Sequence, residues 1–168
     1  GSNPVTSTVI SGAGSGSTFL TMAKGASSTN RMEVWNLYIS AFSFFFDQVD
    51  SNSFFYNLSI VGDSSYLQQV WKNADQASGI EIEKCNISKV WSWTAKYISG
   101  ESGHVFRSDN GMNLYNVSFR NCVFAEDFIG VYLSQGSAPS SKVNADNIVF
   151  FNCSFKDMGN KVFYGERI

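Results

Sequence analysis

The sequence is short of charge. Asp, Glu, Lys and Arg make up 15% of its 168 residues, below the usual quarter. Helix surfaces are normally rich in Glu, Lys and Arg, so this scarcity argues against a helical protein. Proline occurs twice and histidine once, at His104. No nucleophile motif accompanies that single histidine, so no hydrolytic triad is expected. The formal net charge is −2 with no basic stripe, and nucleic acid is not an expected partner. No apolar run reaches membrane-spanning length. The strongest, "NLYISAFSFFFD", stops at Asp47, so membrane insertion is not expected. No signal peptide is present, and Gly1-Ser2 reads as a cloning scar. The natural targeting segment is therefore expected to be missing. The three cysteines, Cys85, Cys122 and Cys153, are odd in number and spaced 37 and 31 apart. They cannot all pair within one chain, and they match no zinc pattern.

What is present suits strands. Hydrophobic residues reach 43%, with 15 Phe, 7 Tyr and 4 Trp, enough for a core. Abundant Ser, Asn and Gly supply turns.

Two segments read almost alike: "NVSFRNCVFAED" from Asn116 and "NIVFFNCSFKDM" from Asn147. With Cys122 placed over Cys153, the flanks fall into register, and three earlier copies join them. The pattern is Φ-x-Φ-x-N-Φ-x-Φ, where Φ is apolar. Its first column is Met32, Ser53, Ile80, Val117 and Ile148. Its second is Val34, Phe55, Ile82, Phe119 and Phe150. The third is Leu37, Leu58, Cys85, Cys122 and Cys153, and the fourth is Ile39, Ile60, Ile87, Phe124 and Phe155. Asn36, Asn57, Lys84, Asn121 and Asn152 mark the break between the halves, with repeats of 21, 27, 37 and 31 residues. A further apolar segment follows each copy, at 42–46, 65–70, 95–99, 129–133 and 161–165.

Each repeat thus predicts three short strands, the first two joined by a bend at the Asn. Asn tolerates the left-handed conformation such a bend needs. Parallel strands stacked one turn per repeat, about 4.8 Å apart, make each column a ladder. A β-sandwich would give the alternation but would not require the aligned columns. The expectation is an all-β, single-stranded parallel β-helix of about five to six coils. Residues 1–8 are a lead-in and 9–168 the β-helix domain, expected to be a fragment of a longer protein.

These features resemble the right-handed, pectin-lyase-like β-helices. The opening "VISGAGSGSTFLTM" from Val9 is similar to the I-x-G-x-G-x-x-S-T-x-L segment of an early coil there. That family includes polysaccharide lyases and hydrolases, bacterial surface proteins and phage tailspikes. The resemblance covers most of the chain, from about Val9 to Gly165. It implies fold more than activity, because one fold hosts many functions.

The cysteines occupy inward columns where Leu substitutes in two coils, so they read as core, with reduced thiols. Four N-x-S sequons, at Asn57, Asn86, Asn116 and Asn152, read as coincidence in an Asn- and Ser-rich chain. The loop "SGESGHVFRSDNG" (99–111) is read as the longest excursion between coils, where Glu101, His104, Arg107 and Asp109 form a weak candidate site against the simpler reading of a solvated loop. Glycoside hydrolysis uses paired carboxylates about 5 to 9.5 Å apart. Glu126 and Asp157 are expected one rung apart, with Lys89 on the rung before. A plain surface charge ladder is the competing reading. The resemblance implies calcium and an Arg or Lys base for a lyase. No dense Asp cluster fits that, so no cofactor is expected and calcium is unsupported.

The outward residues of the first two strands carry the main candidate. Trp35, Phe54 and Tyr56 form an aromatic patch aimed away from the core, and such patches usually mark an interface or ligand surface. Trp91 and Trp93 form a second aromatic cluster. Three functions remain open: a module recognising polysaccharide or a cell-surface glycan, as in tailspike-type receptor-binding proteins; a polysaccharide hydrolase or lyase; and a structural segment forming a homotrimer. The expected setting is extracellular, on a cell surface or a virion.

Overall fold

The computed structural model describes residues 8–21, 31–63, 69–73, 76–90, 104–109, 113–126, 129–134, 144–159 and 161–166. Among them every regular element is a strand and every pairing is parallel. One sheet stacks β2 (Glu33–Trp35), β4 (Phe54–Tyr56), β7 (Gln76–Glu83), β10 (Asn113–Arg120) and β13 (Asn144–Phe151). A second stacks β3 (Leu37–Val49), β5 (Ser59–Val61), β8 (Asn86–Ser88), β11 (Val123–Ala125) and β14 (Ser154–Lys156). The third begins on the far half of β3 and continues through β6 (Gln69–Asn73), β9 (His104–Asp109), β12 (Ile129–Ser134) and β15 (Lys161–Glu166). The leading strand, β1 (Thr8–Thr21), lies along β3. The chain therefore winds as a parallel β-helix with three sheet faces.

The register is the one the columns require. Phe119 pairs with Ile82 on one side and Phe150 on the other. Phe124 pairs with Ile87 and Phe155.

The bends explain why Asn recurs. Asn36, Asn57, Lys84, Asn121 and Asn152 all adopt φ between 50° and 56°, the left-handed region that Asn enters at least cost after Gly. Their side chains also stack. Asn57 Nδ2 donates to Asn36 Oδ1 at 2.8 Å, and Asn152 Nδ2 donates to Asn121 Oδ1 at 2.8 Å. Lys84 interrupts this amide ladder between its two halves.

Two further columns are left-handed, a conformation not read from the sequence. Five residues before the Asn bend stand Asn52, Gly79, Asn116 and Asn147, with φ of 59°, 72°, 53° and 54°. Asn147 Nδ2 donates to Asn116 Oδ1 at 2.8 Å, so a second amide ladder runs there. This accounts for the first Asn in each of the two matching segments. Five residues after the Asn bend stand Ala41, Lys89, Glu126 and Asp157, with φ of 59°, 61°, 57° and 50°.

The core lies inside the coil. Phe55, Ile82, Phe119, Ile39, Ile60, Ile87 and Phe124 are buried, as are Leu58, Cys85 and Cys122; Cys153 is half-buried. All three thiols are free. Cysteine suits this position because its weak S–H donor can reach a main-chain carbonyl of the preceding coil. Cys122 Sγ lies 3.5 Å from the Ile82 carbonyl and Cys153 Sγ 3.3 Å from that of Phe119. A hydrogen bond with Cys122, together with burial, pushes the Cys85 thiol far above its ordinary pKa. Cys85 and Cys122 are core, as expected, and Cys153 packs half-buried against it.

The third sheet departs from expectation in two coils. The strand expected at 65–70 lies at Gln69–Asn73, and 64–68 fall outside the described residues. The strand expected at 95–99 is also outside them; in the third coil the described strand of this sheet is His104–Asp109. The described strands share two-sided burial: Trp71 and Phe106 face the interior rings, while Val70 and Val105 are buried in the alternate positions.

Candidate functional site

The outer face of the first sheet is the most distinctive surface among the described residues. Strand alternation fixes it: with Val34 and Phe55 buried, their neighbours must point out. One outward column reads Glu33, Phe54, Glu81, Ser118 and Val149; the next reads Trp35, Tyr56, Glu83, Arg120 and Phe151. All are exposed or half-exposed.

The aromatic residues come together as expected. Trp35 is 53% exposed and meets Phe54 edge-on, with centroids 6.5 Å apart. Phe54 and Tyr56 stack at 5.9 Å and 23°. Lys84 Nζ bonds the Tyr56 hydroxyl at 2.8 Å and lies 5.0 Å from its ring centroid. That hydrogen bond holds the Lys84 ammonium above the ordinary lysine pKa. Glu83 is within 4.0 Å of the same ammonium. At the far end of the face, the Arg120 guanidinium sits 5.9 Å from the Phe151 ring, which is 58% exposed.

Beside Phe54 the surface forms an open concavity of about 370 Å³, lined by Arg31, Glu33, Asn52, Ser53, Phe54, Gly79 and Glu81. Arg31 forms an ion pair with Glu33. The Ser53 hydroxyl is occupied internally, donating to the Asp50 carbonyl at 2.7 Å and accepting from the Met32 N–H at 3.0 Å. The sequence marks Phe54 as outward-facing, but the part played by Arg31, Asn52 and Gly79 beside it was not read. The signal was available: these three occupy the position five residues before each Asn bend, where the chain turns into the sheet.

The carboxylates at the later corner behave otherwise. Glu126 and Asp157 are one rung apart, as expected, since the Glu126 N–H bonds the Lys156 carbonyl at 3.0 Å. They are exposed residues in left-handed corners, which gives them a structural duty of their own. Lys89 lies one rung earlier, its N–H on the Ala125 carbonyl at 3.1 Å.

His104 is not on an excursion between coils. It opens β9, pairs in register with Gln69 and Ile129, and is fully buried. Arg107 and Asp109 belong to the same strand by backbone. Glu101, Trp91 and Trp93 lie outside the described residues. The histidine expected on a loop is thus part of a strand and buried, and the rest of that grouping lies outside the described side chains. Among the described residues no group of three or more His, Cys, Asp and Glu could hold a metal, and no helix is long and apolar enough to cross a membrane.

The chain matches no family model, no curated protein and no solved structure.

Proposed function

We propose that this protein is a pectin-lyase-like β-helix module that recognises polysaccharide on the outer face of its first sheet. Its setting on this reading is extracellular, on a cell surface or a virion, as in a tailspike-type receptor-binding protein. The observation that carries the reading is the Trp35–Phe54–Tyr56 platform. Solvent-exposed rings on a rigid sheet offer flat apolar surface to the C–H faces of sugars at small entropic cost. The parallel ladder adds a repeat of about 4.8 Å along which a linear ligand can lie. The resemblance in the opening segment and the Asn bend agrees with a superfamily rich in polysaccharide-active proteins.

A glycan array tests this directly. Binding that is lost in Trp35→Ala or Phe54→Ala, with the fold retained by circular dichroism, supports recognition. No binding to any glycan overturns it. Release of reducing sugar by the bound protein would convert the reading to hydrolysis.

A second reading is a homotrimer packed through this face. The exposed Val149 and Phe151 at its far end favour it. Light scattering separates the two: a threefold mass abolished by Trp35→Ala or Phe151→Ala supports assembly, and a monomer excludes it.

A further inference from the structure

Resting on the glycan reading above, we infer that the Phe54 side of the face takes an amino sugar with a free ammonium group. The sugar ring lies on Phe54 and its ammonium meets the Glu81 carboxylate.

The register sets the geometry. Phe54 pairs with Glu33 on one side and Glu81 on the other, so a carboxylate flanks the ring at each neighbouring rung. The two are not equivalent. Arg31 neutralises Glu33, whereas Glu81 has no ion pair among the described residues. The Ser53 hydroxyl is committed internally. The Asn52 amide offers both a donor and an acceptor. With Arg31 set against Glu33, the lining keeps one uncompensated negative charge, on Glu81. An ammonium answers that charge and brings three N–H donors to the carboxylate. A uronate or sulfated sugar would bring like charge to Glu81 and is disfavoured.

Gly79 keeps this side open. It turns at φ 72°, and a Cβ added there would come within 2.8 Å of Asn52 Oδ1. A side chain at that corner would crowd Asn52, which lines the concavity beside Glu81.

The same face already holds one ammonium. Lys84 lies against the Tyr56 ring and its hydroxyl, with Glu83 nearby. Its pKa is raised chiefly by the Tyr56 hydrogen bond. Phe54 and Glu81 repeat the pairing of ring and carboxylate one column over, on the same two strands. Aromatic faces attract cations through the ring quadrupole, and a carboxylate beside the ring adds to that.

The test uses the intact chain and calorimetric titration with two probes of equal length: glucosamine oligomers and their N-acetylated counterparts, at a pH where the amines are protonated. The glucosamine oligomer should bind about tenfold tighter or more, the range of one charge-assisted hydrogen bond. Glu81→Gln should bring the two affinities together. Asp146→Asn, an exposed carboxylate outside the concavity, should leave the preference in place. Equal binding of both probes overturns the inference. So does a preference that survives Glu81→Gln, since that would be attraction to net charge alone. If neutral glycans bind in a Trp35-dependent way while glucosamine oligomers show no advantage, the charge assignment falls and glycan recognition stands. If no saccharide binds, both fall.

Discussion

The rings of Phe119 and Phe150 lie face to face, 4.7 Å between centroids and 6° from parallel. That separation is the rung spacing of a parallel sheet, so side-chain stacking and main-chain pairing share one repeat. Phe119 also meets Trp71, Phe106 and Phe124 through ring edges. It touches all three sheets. Phe119→Ala should cost roughly 3–5 kcal/mol, because it removes a large buried side chain from a packed ladder. Arg120→Ala, on the exposed alternate position, should cost no more than about 0.5 kcal/mol. Urea denaturation measures both; equal losses would contradict the inward and outward assignment.

The Asn bend separates conformational strain from hydrogen bonding. Asn121 sits at φ 55° and accepts from Asn152 Nδ2. Asn121→Ala loses the amide bond and keeps a residue that disfavours this conformation, so it should cost about 1–2 kcal/mol. Asn121→Gly loses the same bond but enters the left-handed region freely. The glycine variant should therefore be the more stable of the two by denaturant midpoint. If alanine equals glycine, the bend is not under the strain its φ implies.

Thiol chemistry reports the same interior. Cys153 is half-buried, whereas Cys85 and Cys122 are buried. Burial raises the Cys153 pKa as well, which slows its attack because the thiolate is the nucleophile. In native protein an aromatic disulfide reagent should titrate Cys153 slowly, and the other two thiols only as the coil unfolds. Rapid reaction of all three without denaturant would place the cysteine column at the surface.

Most of the solenoid was readable because two of its faces are short strands with strict alternation. Val34, Phe55, Ile82, Phe119 and Phe150 recur at a fixed offset from the bend residue, Asn in four coils and Lys84 in one, and the offset survives unequal loops. The third face was less legible. In β6 and β9 adjacent residues, Val70 with Trp71 and Val105 with Phe106, are both buried, so alternation does not mark the strand. His104 was misplaced for that reason: a lone histidine among polar residues reads as loop, yet its strand neighbours Val105 and Phe106 pull it inside. The aromatic platform followed from parity alone. The concavity beside it did not, because Arg31, Asn52 and Gly79 belong to a bend that had not been recognised as a column. Gly79 also breaks that column's Asn identity, as Lys84 does in the first ladder.

Lys84 offers the last test, through its pKa. The hydrogen bond to Tyr56 is the largest cause of its rise, ahead of the attraction of Glu83. Tyr56→Phe keeps the ring and removes the hydroxyl, so the Lys84 pKa should fall toward the ordinary lysine value. Titration of the labelled ε-amine by NMR reads this directly. The sign for stability follows from the direction. A raised folded-state pKa means the ammonium form is favoured by folding, so the contribution is present at neutral pH and is lost as pH climbs through the folded value. In wild type, stability should therefore decline more steeply in strong alkali than in Tyr56→Phe. Lys84 is exposed, so solvent and salt screen the pair and the difference should shrink as salt is added. An unchanged Lys84 pKa in Tyr56→Phe would show that the hydroxyl does not hold the ammonium, and with it would go the native precedent for a cation on this face.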